Sequence, residues 1–162
     1  MKTFFEFLSE NQNNYPFVRV EKNEFQLTAA TGESGDGIYF SLTKYPQMLK
    51  YYKDMTEDGY RIIYAKPKPN CQIHDFTNPV NLKDLIQFMK IEIEELSKRM
   101  IGYRKPNINT SNYQRYGNLI QDYIRKHKLD LSGYIVNHEY KNFIPTGKQL
   151  IITKEDDFEY FE

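Results

Sequence analysis

The sequence predicts an α+β fold. Three observations lead to it: strand-like alternation gathers toward both ends of the chain, the two clearest runs of helical spacing lie in the middle, and the last strand segments follow one another closely enough to favour antiparallel pairing. At 162 residues the chain is long enough for a real core and too short for two, so residues 1–162 read as a single domain.

Phe4, Phe5, Phe7 and Leu8 stand at helical spacing and predict a short packing helix over Met1 to Gln12. Phe17-Val18-Arg19-Val20 and Phe25-Gln26-Leu27-Thr28 alternate as a pair of strands around the polar turn Glu21-Lys22-Asn23-Glu24. Thr31 to Asp36 reads as a polar, glycine-bearing loop. Gly35 and Gly37 loosen the backbone just ahead of Ile38-Tyr39-Phe40-Ser41, a β-branched and aromatic run that predicts a strand over 37–41 entered from a tight turn. Tyr51 and Tyr52 stand ten and eleven residues after Ser41, on a helix predicted near 44–54. Tyrosines on a strand and on the helix leaving it could form one wall of a flat pocket, and the same stretch also suits an ordinary core.

Gly59 to Lys66 is a strand centred on Ile62 and Ile63, and Lys66-Pro67-Lys68-Pro69 should lie outside any sheet. Cys71 to Phe76 predicts another short strand. Leu82, Leu85, Ile86, Met89, Ile93, Leu96 and Met100 step by threes and fours, with Asn81 as cap, Asp84 in the first turn and Gly102 past the end. After a loop over 103–110, Tyr113, Tyr116, Leu119, Ile120, Tyr123 and Ile124 mark a second helix. It ends in Arg125-Lys126-His127-Lys128, charges that suit a helix C-terminus better than a binding patch. Three strands close the chain: 133–136, 139–144 and 149–153, broken at Asn137-His138 and at Pro145-Thr146-Gly147.

Lysine plus arginine equals aspartate plus glutamate at 22 each, so no general electrostatic pull toward nucleic acid or membrane is expected. Without a long apolar run or a signal-like N-terminus, the expectation is a soluble protein, cytoplasmic or delivered as an effector into a host cytoplasm. The single Cys71 has no spaced partners and reads as a small hydrophobe, and the scattered His74, His127 and His138 form no metal constellation. Fourteen tyrosines and eleven phenylalanines supply flat surface, apolar with a polar tip in tyrosine, which suits ring-shaped ligands and half-buried strands alike.

Three segments together resemble the ADP-ribosyltransferase fold of the poly-ADP-ribose polymerases and diphtheria-type toxins. Gly37-Ile38-Tyr39-Phe40-Ser41 is similar to that superfamily's Gly-Ile-Tyr-Phe strand, and Tyr51 or Tyr52 falls within a residue of its second tyrosine. Glu139-Tyr140-Lys141-Asn142-Phe143, followed by Pro145, Gln149 and Leu150-Ile151, is similar to its Glu-Tyr strand, which carries the catalytic glutamate. The resemblance implies a split, mostly antiparallel sheet with central helices and NAD bound as co-substrate between the halves. It implies Glu139 as the catalytic carboxylate on the nicotinamide ribose, and a cofactor-binding set of Arg19, Gly37, Tyr39, Ser41, Tyr51 and Tyr52. Tyr39 and Tyr51, or Tyr52 in its place, would sandwich the nicotinamide ring, while Ser41 would hydrogen-bond its amide or support the glutamate. No metal is implied.

Two departures stand out. The family's early basic residue aligns either with Ala29, which would cripple the site, or with Arg19, whose long cation could reach a ribose or phosphate oxygen. Before the glutamate stands Asn137-His138, so the motif is Asn-x-Glu and arginine is not the favoured acceptor. The implied activity is NAD-dependent mono-ADP-ribosyl transfer to a macromolecule, a protein more than a nucleic acid, which stays open. The alternatives are a catalytically degenerate module of the same fold that acts through a protein partner, and a small α+β protein in which these strands only pack.

Overall fold

The computed structural model describes residues 17–22, 30–42, 54, 59–138 and 147–162. Several expected features lie outside the described residues: the helix over 1–12, the strand over 25–28, Ala29, the helix near 44–54 apart from Asp54, and the strand over 139–144. Tyr51, Tyr52 and Glu139 are therefore among the residues not described.

Eight strands are present among the described residues: β1 (Phe17–Lys22), β2 (Ala30–Gly32), β3 (Gly35–Leu42), β4 (Tyr60–Pro67), β5 (Ile73–Asp75), β6 (Gly133–His138), β7 (Gly147–Ile152) and β8 (Phe158–Phe161). Between β5 and β6 stand two α-helices, α1 (Pro79–Arg99) and α2 (Gly117–Lys126), with a 3₁₀ turn over Tyr113–Arg115 before the second. The class is α+β, as the sequence predicts. The strands form one curled sheet in the order β5-β6-β7-β3-β1-β4-β8, and β2 extends it as a hairpin partner of β3. Every pairing is antiparallel except β5 with β6.

One seam of the sheet lies between β3 and β1. Among the described residues β1 meets β3 at Phe17↔Leu42 and Val18↔Ser41, while it pairs with β4 along its whole length. On the far side of Val18 no described pair joins β1 to β3, and β5-β6-β7-β3 parts there from β1-β4-β8.

Strand alternation sends side chains to two cores. On one face Tyr134, Val136 and Ile151 pack with Leu85, Met89 and Ile93 of α1, with Ile120 of α2, and with Phe76, Ile108 and Tyr113. On the other, Phe17, Ile38, Phe40, Ile63, Ala65, Leu150, Ile152 and Phe158 form a second cluster inside the curl. Burying apolar area at about 25 cal/mol per Å² is what drives both. Among the described residues no helix is long and apolar enough to cross a membrane.

Several local expectations need correction. α1 begins three residues earlier than its apolar stripe suggests: Asn78, not Asn81, is the cap, with its Oδ1 accepting from the N–H groups of Val80 and Asn81, and Pro79 opens the helix. The first turn holds no acid, and Asn81 donates to the Asp75 carbonyl instead. β1 continues through Glu21 and Lys22, because β4 offers partners as far as Tyr60 and sets Arg61 opposite Glu21. The loop expected over 31–36 is instead a hairpin, with Ala30↔Gly37 and Gly32↔Gly35 closing on the turn Glu33–Ser34.

Lys66 and Pro67 lie within β4. Among the described residues Pro67 has a strand neighbour on one side, Phe158 of β8, and it stands at the strand's last position, where a proline is tolerated. Asn137 and His138 do not break the chain: they are the last rungs of β6, opposite Lys148 and Gly147 of β7.

Candidate functional site

β3 carries the motif on which the resemblance rests, and its two ends have different surroundings. At the N-terminal end the hairpin turn is locked against the helices. Gly117 N–H donates to the Glu33 carbonyl at 2.7 Å, the Ser34 hydroxyl donates to the Gln114 carbonyl at 2.6 Å, and the Tyr134 hydroxyl donates to the Ser34 carbonyl at 2.6 Å. Gly35 adopts φ +117°, and a β-carbon there would lie 2.1 Å from the Tyr134 hydroxyl. A β-carbon on Gly37 would lie 2.5 Å from Ile151 Cγ2 and 2.6 Å from the Ile152 carbonyl oxygen. Packing against β7 alone therefore accounts for glycine at that position.

Tyr39 points to the helix-covered face. Its ring is half-buried beside Gly32, and its hydroxyl donates to the Gly35 carbonyl. Burial, with Asp36 and Glu33 nearby, pushes its pKa up to about 12, so the phenol stays neutral at physiological pH.

The C-terminal end is polar. Ser41 lies directly opposite Gln149 of β7 on one side and opposite Val18 of β1 on the other. Registers run Val136, Gln149, Ser41, Val18 and Tyr64 across five strands, so directly opposed residues put the serine and the carboxamide on the face that also holds Tyr39. Gln149 Oε1 is buried with no hydrogen-bond partner among the described residues. An unsatisfied buried acceptor costs about 1–3 kcal/mol. Such a cost at the seam where β1 leaves β3 marks Gln149 as a ligand-facing candidate.

Gln149, which the sequence reading names within the third motif segment, is given no role in the site there. The available signal was its position: it alternates with Ile151 and so puts a polar group on an otherwise apolar strand face. His138, opposite Gly147, occupies the next rung outward on that face and is half-buried.

Arg19 lies elsewhere. Phe17 pairs with Leu42 and Ala65 on the face of the second core, and Arg19, two residues on and opposite Ile63, shares that face. Its Nε sits 2.8 Å from Glu21 Oε1, with the two side chains 23% and 9% exposed. Arg19 is thus on the opposite side of the sheet from Tyr39 and Ser41 and already engaged by a carboxylate. Of the expected set, Tyr39, Ser41 and Gly37 share one strand and one face, and Arg19 does not join them.

The remaining chemistry-bearing residues serve packing. His127 stacks on Tyr123 at 4.0 Å, and His74 meets Phe76 edge-on at 4.7 Å. Arg125 pairs with Asp122 and Lys126 with Glu92, so the basic run ends α2 as its charges suggest. Cys71 is partly buried against the second core. Among the described residues no three His, Cys, Asp or Glu side chains cluster as a metal site. Comparison of the chain with protein-family models, curated proteins and solved structures finds no match.

Proposed function

We propose that this chain is an NAD-dependent mono-ADP-ribosyltransferase that modifies a macromolecule, a protein in the first instance. The observation that carries the reading is the strand order. Segments over 100 residues apart in the chain, the Gly-Ile-Tyr-Phe-Ser strand and the strand that follows Glu139, are hydrogen-bonded neighbours, with Ser41 opposite Gln149 beside the seam between β3 and β1. In this reading the nicotinamide carboxamide donates to Gln149 Oε1 and meets the Ser41 hydroxyl, which would satisfy an acceptor that is buried without a partner among the described residues.

Transfer breaks the bond between nicotinamide and ribose C1′, whose electron pair leaves on nicotinamide. The acceptor's nucleophile forms the new bond to C1′ and gives its proton to water. The sugar passes through an oxocarbenium-like state, and the carboxylate of Glu139 is the group that would stabilise its charge.

Arg19 favours a second reading, in which the fold persists without catalysis and acts through a protein partner. Its pairing with Glu21 on the far face leaves the expected cationic anchor out of the site. The discriminating experiment is incubation of the full chain with NAD labelled on the adenylate and with cell extract. Transfer of label by the wild type, lost in Glu139→Gln, supports the enzyme. Absence of transfer leaves the binding module, and transfer unchanged in that variant excludes the role given to Glu139.

A further inference from the structure

The outward side of α1 carries a groove of about 780 Å³ in which Leu82 and Ile86 meet Thr110 of the loop after the helix. Val80 and Ile91 are 69% and 56% exposed along the same helix. Lys83 and Lys90 flank this floor, and among the described residues no acidic side chain lines it. Seven residues apart, the two lysines stand two turns apart on one side of the helix, roughly 10 Å along its axis.

Neither lysine pairs with a carboxylate among the described residues, whereas Lys98 pairs with Glu95, Lys105 with Glu94 and Lys126 with Glu92. Most acids along α1 are thus matched by cations, while the two cations beside the groove are left unmatched. From this we infer that the α1 groove docks a protein segment whose apolar ridge is flanked by acidic side chains about two helical turns apart. The inference is independent of the NAD reading.

The other occupants fit less well. In a two-fold contact centred on the groove, Lys83 and Lys90 would meet their own copies, like charge against like. A membrane surface favours a protruding apolar face with a broad cationic border, and this floor is recessed with two lysines.

The test uses the full chain and a fluorescently labelled synthetic helix with leucines at i, i+4 and i+7 and glutamates bordering them, read by anisotropy. A control peptide carries lysines in place of the glutamates. Saturable binding of the acidic peptide is expected, weakened at least about tenfold by Lys83→Glu with Lys90→Glu, a pair that should instead take up the basic peptide. Ile91→Asp should also weaken binding, and all these side chains are exposed enough to leave melting unchanged.

Equal binding of both peptides, no saturable binding, or binding indifferent to charge reversal would overturn the inference. Lysine-dependent sedimentation with phosphatidylserine vesicles in the absence of peptide binding would assign the face to a membrane and overturn it too. Concentration-dependent dimerisation abolished by Ile91→Asp would do the same in favour of a second copy.

Discussion

The two ends of β3 stand on one face of one sheet and do opposite things. At the N-terminal end Ser34, Gly35, Tyr39 and Tyr134 spend their polar groups on the protein itself, closing a set of hydrogen bonds that fasten the hairpin to the helices. At the C-terminal end Gln149, opposite Ser41, keeps an acceptor that no described residue satisfies. One strand thus combines an anchor with a polar surface, and substitutions at its two ends should separate stability from ligand response.

The largest effect is expected at the anchor. Gly35→Ala drives a β-carbon into the Tyr134 hydroxyl and imposes the strain of φ +117°, and should cost about 2–4 kcal/mol, seen as a fall of about 5–15 °C in Tm. An unchanged Tm would mean that the turn is not fastened as described. Tyr134→Phe keeps the ring and leaves the buried Ser34 carbonyl without its donor, a loss of about 1–3 kcal/mol by denaturant titration.

Alkali provides a third comparison. The pKa of Tyr39 is raised from 10 to about 12 by burial, so the folded state holds that proton more tightly than the unfolded one. Its contribution to stability is complete below pH 10 and disappears as pH rises toward 12. Tyr39→Phe should therefore make the stability–pH curve shallower in that window. A curve with the wild-type slope would show that the phenol does not titrate on unfolding.

The smallest effect on the unliganded protein is expected at the other end. Gln149→Leu removes the orphaned acceptor, so stability should hold or rise by up to about 1 kcal/mol. A loss of 2 kcal/mol or more, on the order of a broken buried hydrogen bond, would instead make Gln149 part of the anchor.

How far the molecule could be read from its sequence depended on how local each signal was. The threes-and-fours stripe of α1 is complete in itself, and Leu82, Leu85, Met89 and Ile93 are all buried as it implies. The start of α1 was misread because two asparagines three apart can both cap, and Pro79, directly after Asn78, was the informative residue. β8 was missed although Phe158 and Tyr160 alternate, since four residues beside the acidic Glu155-Asp156-Asp157 resemble a polar tail.

The site depended on long-range register. Phe17 and Arg19 plainly share a face, as do Tyr39 and Ser41, but only the pairing of Phe17 with Leu42 reveals that these faces are opposite. Similarly, Asn137 and His138 looked like a break until β7 supplied their partners. The motif strand was legible, its glycines have packing reasons, and its polar partner Gln149 came into view only with the sheet.

The most direct measurement is the melting temperature of wild-type and Gln149→Leu protein with and without millimolar NAD. If NAD binds at the Ser41 and Gln149 end of β3, ligand at about one hundred times its Kd adds about 2.7 kcal/mol and raises the wild-type Tm by about 5–10 °C. Without NAD the variant should melt at or slightly above the wild type, and with NAD it should lose most of that rise. No rise in the wild type, or an equal rise in the variant, would contradict the account.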